Sequence, residues 1–168
     1  GTDDLYFGAA TQTVTFEISS SEDATLSLDQ EEAVKGDDVR FEIQGADEED
    51  VHPVVIDAGD VTGDVASAFR NVGDTVDTGT TSGGNAVALV EIDDGIGVGQ
   101  IETGELDTSS IDVEVYNSTS ATTAGSEVLG EVLDDESIEI NEGTVSLDSP
   151  SDSYIIGSEV DINGTTSE

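Results

Sequence analysis

Two tripeptides in the chain can accept a glycan, Asn117-Ser118-Thr119 and Asn163-Gly164-Thr165. In each, an asparagine amide stands two residues before a hydroxyl, which is the spacing that N-linked transfer needs. Each also follows a stretch with strand periodicity, where an acceptor is exposed. In a chain rich in Ser and Thr the motif is weak alone, and an extracellular setting strengthens both. The second chemistry on offer is oxygen ligation of a hard cation. Acids cluster from Asp47 to Asp50, at Asp93-Asp94 and at Asp134-Asp135-Glu136, and carboxylates suit Ca2+ and Mg2+. No D-x-D-x-D-G loop closed by a glutamate organises them, so most read as solvated surface. The better metal candidates are Asp134, Asp135 and Asp148, which fall where two repeated units would meet.

Catalytic chemistry finds little to work with. The single histidine, His52, stands beside Pro53 and reads as a strand-end residue rather than a base. There is no cysteine and no G-x-S-x-G elbow. The run GIGVGQ, Gly95 to Gln100, resembles a dinucleotide loop only superficially, because no helix pattern follows it.

The background is extreme. The 168 residues include 40 acids and 3 bases, for a formal charge of −37. Such a charge ordinarily points to disorder. Here the acids are spread through the chain and alternate with Val, Ile, Leu and Phe, as they do when one strand face is solvated and the other buried. At about 1 M salt the Debye length is about 3 Å, so surface repulsion is largely screened. The composition therefore fits an ordered protein built for very high salt. It argues against nucleic acid and against an anionic membrane surface as partners. No apolar run approaches the roughly 20 residues of a membrane span. The chain has no Met and starts without a signal-peptide pattern, which fits a piece of a longer protein.

The elements that must carry these groups are mostly strands. Val14, Phe16 and Ile18 alternate with Thr and Glu in one; Leu26 and Leu28, then Val39, Phe41 and Ile43, alternate around a turn at Lys35-Gly36-Asp37. VHPVVI predicts a strand starting after Pro53, since proline donates no ladder hydrogen bond. Ala86 to Ile92 is nearly all apolar and predicts a central strand. Asp93-Asp94-Gly95 predicts a hairpin turn, with Ile96, Val98 and Ile101 in the partner strand and glycines implying close backbone approach or a bulge. Ile111, Val113 and Val115 alternate in another strand, and Ile138 and Ile140 in the last. One stretch differs: Val65, Ala68, Phe69 and Val72 fall at helical spacing. Asp64 is placed as N-cap, Arg70 in the last turn and Gly73 beyond it, predicting one short helix over a sheet.

An internal repeat sets the domain frame. TLSLD at Thr25 to Asp29 returns as TVSLD at Thr144 to Asp148, and the Gly36 turn returns at Gly157. The separation is about one β-sandwich, so the repeat predicts tandem domains. Residues 1–21 would hold the last strand or strands of a preceding domain, 22–142 one complete domain, and 143–168 the first hairpin of the next.

Several segments resemble the haloarchaeal surface-layer glycoprotein family: AFRNVGDT (Ala68 to Thr75), VEIDDGIGVGQIET (Val90 to Thr103), IDVEVYN (Ile111 to Asn117) and YIIGSEVDINGT (Tyr154 to Thr165). FGAATQTVTFEIS near the start is similar to a strand of the same family. The resemblance runs in order over nearly the whole chain, with divergence expected in the loops 47–50, 74–84 and 118–135. It implies an all-β fold of tandem immunoglobulin-like β-sandwiches in a secreted, N-glycosylated protein. Such proteins self-assemble into a two-dimensional lattice coating the cell, with divalent cations in support and the anchor elsewhere in the full chain. Asn117 and Asn163 are then candidate glycan sites by motif match.

The expectation is therefore a structural, non-enzymatic piece of a cell coat. The alternative is a secreted adhesin or receptor ectodomain holding a glycan or protein ligand. That role would favour an exposed aromatic patch, whereas the chain has only 3 Tyr, 4 Phe and no Trp.

Overall fold

The computed structural model describes residues 23–147 and 164–166. The strand expected at 11–18 and the hairpin expected around Gly157 lie outside the described residues, as do Asp148 and Asn163.

Among the described residues twelve strands follow in order. They are β1 (Thr25–Leu28), β2 (Glu32–Val34), β3 (Asp38–Gln44), β4 (Val51–Ile56), β5 (Phe69–Arg70) and β6 (Thr75–Thr80), then β7 (Ala86–Glu91), β8 (Ile96–Glu102), β9 (Ser110–Tyr116), β10 (Val132–Asn141), β11 (Val145–Leu147) and β12 (Gly164–Thr166). A four-stranded sheet runs β1-β3-β8-β5 and a six-stranded sheet runs β2-β10-β9-β4-β7-β6. They face each other as an all-β sandwich. β11 and β12 pair antiparallel in a small separate sheet.

Alternation builds the core. Leu26, Val39, Phe41, Ile43 and Ile101 point inward from the smaller sheet. They meet Val54, Ile56, Ala88, Val90, Ile111, Val113, Val115, Ile138 and Ile140 from the larger one. Each fully buried side chain of this kind contributes about 1.5–3 kcal/mol. Phe41 and Phe69 meet edge to face, with centroids 5.9 Å apart and planes at 81°. Gly99 pairs across from Phe41, and a Cβ there would stand 2.7 and 2.9 Å from two Phe41 ring carbons. The glycines of β8 thus make room for the ring, as close backbone approach requires.

Four local expectations are corrected. The strand at VHPVVI begins at Val51, with Pro53 inside it. Val51 O accepts from Thr119 N at 2.8 Å, so Val51, Pro53 and Val55 turn their backbone groups toward the β9 side. The ladder pairs Val54 with Val115, and Pro53 and Tyr116 are the next residues along each strand. The amide bond that Pro53 cannot give is replaced: His52 Nδ1 lies 2.9 Å from the Tyr116 carbonyl oxygen.

The helix expected over Asp64 to Gly73 is realised only as a three-residue 3-10 turn, Val65–Ser67. Asp64 does cap it, accepting from Ala66 N at 3.1 Å. The chain then straightens, because Phe69 pairs with Ile101 and enters the core while Val72 stays 44% exposed. A helix over these residues would have needed Val72 on its buried face.

The turn at Asp93-Asp94-Gly95 has the positive φ values of a tight hairpin, 52° at Asp94 and 81° at Gly95. It does not join paired strands. β7 belongs to the six-stranded sheet and β8 to the four-stranded one, so the turn carries the chain across the sandwich. Ala86 to Glu91 is buried on both faces, as its composition suggests, yet it lies second from the sheet edge, and β9 and β4 are the central pair.

Its second buried face has a separate cause. Val51, Val55, Val87 and Leu89 form a smaller apolar cluster on the outer side of the six-stranded sheet. Ala121, Ala124 and Leu129, from the segment between β9 and β10, cover it. A segment expected to be a divergent surface loop is therefore also a lid over apolar side chains.

Candidate functional site

Asn117 directly follows β9 and anchors that lid. Its backbone N–H donates to Glu131 O at 3.1 Å, and its side-chain Oδ1 accepts from Glu131 N at 2.7 Å. Gly130 lies so close that a Cβ there would stand 2.9 Å from the Asn117 side-chain carbon. Further along, Thr119 Oγ1 accepts from Ala121 N at 3.2 Å. The asparagine and the hydroxyl of the sequon are therefore both built into the loop's own hydrogen bonding. Asn117 is half-buried.

The three metal candidates are not brought together among the described residues. Asp134 and Asp135 are consecutive in β10 and project to opposite faces of its pleat. Asp134 Oδ2 is occupied as the acceptor for Leu26 N at 2.8 Å. Asp135 is exposed and opposite Glu114. Asp148 lies outside the described residues.

Asp134 is one case of a wider pattern that the sequence did not signal. Carboxylates here are used as acceptors for backbone amides. Asp74 Oδ2 takes Val98 N at 2.9 Å, Asp29 takes Arg40 N at 3.0 Å, and Asp77 takes Ala124 N at 2.9 Å. Glu105 takes Asp64 N at 2.6 Å. Asp134 does this at the β1 edge of the four-stranded sheet, and Asp74 beside the part of β8 that the two-residue β5 leaves uncovered, where unpaired amides would otherwise face outward. Satisfying such donors blunts an edge against pairing with another chain.

Acid groups also meet one another. Glu48, Asp93 and Asp94 can place one carboxylate oxygen each within 4.8 Å of the others. Glu48 is already engaged, accepting from Asp94 N at 3.0 Å and Gly95 N at 3.1 Å to cap the crossing turn. At the end of β4, burial holds the Asp60 carboxyl above its ordinary range, and the charges of Asp57, Asp112 and Asp107 add to this. The Tyr116 phenol is pushed up to about 12 by burial and by donating to Glu114 Oε2 at 2.7 Å. Glu127 is buried in the lid: one oxygen accepts from Gly125 N at 2.6 Å and the other has no partner.

The basic groups are arranged just as distinctly. Lys35 Nζ donates to Thr62 Oγ1 at 3.0 Å and to Leu106 O at 2.6 Å. Arg70 pairs with Asp38 at 3.0 Å and with Glu102, and Arg40 pairs with Glu42 at 3.2 Å. His52 is fully buried, and its Nε2 has no partner. GIGVGQ runs from the Asp93–Ile96 turn into β8, followed by a three-residue 3-10 turn, Thr103–Glu105, rather than the long helix of a dinucleotide site.

No family model matches the chain. Individual relatives do. A protein named cell surface glycoprotein from Halobacterium salinarum is 38% identical over 205 aligned residues, covering all of this chain and 24% of the relative. One of the same name from Haloarcula japonica is 37% identical, with 24% of it covered, and one from Haloarcula marismortui is 34% identical, with 26% covered. The chain spans about a quarter of the length of these curated relatives. Their shared name places the chain outside the cell, at its surface. Along its whole length the chain is homologous to an internal segment of these haloarchaeal cell surface glycoproteins.

Proposed function

We propose that this chain is a structural module of a surface-layer lattice, one of several tandem sandwiches in a longer glycosylated coat protein. It carries no catalytic role. In this reading residues 22–142 form the complete domain, residues 1–21 close the one before it, and residues 143–168 open the next. Asn117 and Asn163 carry N-linked glycans. Neighbouring copies associate laterally into a two-dimensional coat, with Ca2+ or Mg2+ bridging acidic faces.

One observation supports this most: the carboxylates bonded to backbone amides at 2.6–3.0 Å. A charge-assisted bond of this kind is roughly twice as strong as a neutral one. Using acids this way stiffens loops and edges without lysine or arginine, and it leaves a hydrated, anionic exterior suited to brine. A stiff module with carboxylates capping edge amides of its smaller sheet suits a mechanical coat, since stray edge pairing would disorder a lattice.

The test uses the native full-length protein. Chelation should dissolve ordered sheets into soluble protein, and adding Ca2+ or Mg2+ should restore them, as seen by electron microscopy. Sheets indifferent to chelation would remove the cation part. Intact mass should show glycan mass at both asparagines; bare asparagines would remove the glycan part.

A further inference from the structure

We infer that the outer face of the four-stranded sheet is the surface on which a second copy of this chain docks. This deepens the assembly reading above and rests on it.

The argument begins with charge. Long-range repulsion between two molecules of net charge −37 is screened in brine, but acids pressed together within about 3 Å still repel, so lateral contact favours a place where charge is balanced. The chain has 3 basic side chains, and two of them, Arg40 and Arg70, stand on this one face. Arg70 lies between Asp38 and Glu102, and Arg40 beside Glu42. The face thus alternates both signs, whereas the opposite sheet exposes acids such as Glu32, Asp112 and Glu139. A mosaic of both signs is complementary to itself under two-fold pairing, in which one patch meets its own copy. Both arginines and Asp38 remain about half exposed, at 56%, 48% and 45%, so each retains surface for a partner.

Apolar surface is added at the same place. A groove of about 290 Å3 runs between Arg40, Val72 and Val98. Val72 is 44% exposed, and Ile96, two residues from Val98 on the same strand face, is 39% exposed. Most of the face consists of strands β1, β3 and β8. With strands about 4.8 Å apart and up to seven residues at about 3.3 Å, it covers roughly 330 Å2 in projection. That is below the roughly 800 Å2 per partner of a stable standard interface. A single contact is therefore weak, and a coat that repeats it gains by avidity. The Asn117 sequon lies on the other sheet, so a glycan there leaves this face clear.

The experiment compares self-association of the native full-length protein with Val72→Glu, Arg40→Glu and Val128→Glu, by sedimentation in high salt and by sheet formation. Val128, 82% exposed in the lid on the opposite side, is the control. Melting curves of all three should match wild type, because each site is at the surface. Val72→Glu and Arg40→Glu should each weaken association by roughly tenfold or more, since a two-fold contact counts each added acid twice. Val128→Glu should associate as wild type. Wild-type association that both face variants retain would overturn the assignment of this face while leaving assembly intact. A wild type that stays monomeric would overturn the assembly reading and this inference with it.

Discussion

Asp134 Oδ2 accepts a hydrogen bond at 2.8 Å from the backbone N–H of Leu26, a residue 108 positions earlier and in the opposite sheet. The carboxylate satisfies the free edge of β1 and ties the two layers of the sandwich together.

Replacing that carboxylate separates its structural role from metal ligation. Asp134→Ala leaves the Leu26 amide without its acceptor and should cost about 1–3 kcal/mol in urea denaturation. Asp134→Asn keeps an oxygen at the same place and should recover most of the loss. If Asp134→Asn were as damaging as Asp134→Ala, and the damage depended on Ca2+, the residue's main role would be metal ligation.

Asp60 predicts a pH dependence. Its folded-state carboxyl titrates above the ordinary 3.8, through burial and then the charges of Asp57, Asp112 and Asp107. The folded state therefore holds that proton more tightly than the unfolded chain does. Stability from this group is greatest at acid pH and declines as pH rises from near 3.8 through the folded value. Asp60→Asn should accordingly be more stable than wild type at pH 7 and lose that advantage near pH 3. The gap should shrink in high salt, where the neighbouring charges are screened. An equal gap at both pH values would show that the effect is not electrostatic.

Gly99 predicts a packing effect. A methyl there points at the fully buried Phe41 ring, which Phe69 holds edge-on. Gly99→Ala should destabilise by about 1–3 kcal/mol through overpacking. The double variant Gly99→Ala with Phe41→Leu should be less destabilised than the sum of the two single changes. Simple additivity would place the cost in the backbone instead.

The lid gives a way to separate glycan from fold. Asn117→Asp ends acceptance of a glycan but keeps an oxygen for Glu131 N, so its stability without glycan should lie within about 1 kcal/mol of unglycosylated wild type. Asn117→Ala loses the bond as well and should melt earlier. In the native host both should lack the same glycan mass. An intact mass unchanged by either variant would show that Asn117 is unmodified.

Much of this was legible along the chain. Strict alternation at Val39, Phe41 and Ile43, and again at Ile111, Val113 and Val115, marks an inward and an outward face for each strand. Side-chain direction in a strand has period two and is a local property, so the sequence by itself determined an all-β chain with an acidic exterior. The spacing Asn-x-Ser/Thr is equally local. Partnership is not. Only the tertiary structure decided that the Asp93–Gly95 turn crosses between sheets, and that Val65 to Val72 serves a sheet edge rather than a helix. The tertiary fold also assigned Asp74 and Asp134 to close edges and gathered both arginines on one face. Each of these depends on chain segments far apart in sequence meeting to fill one core and satisfy its backbone groups, and local periodicity carries no record of which distant amide a given carboxylate will meet.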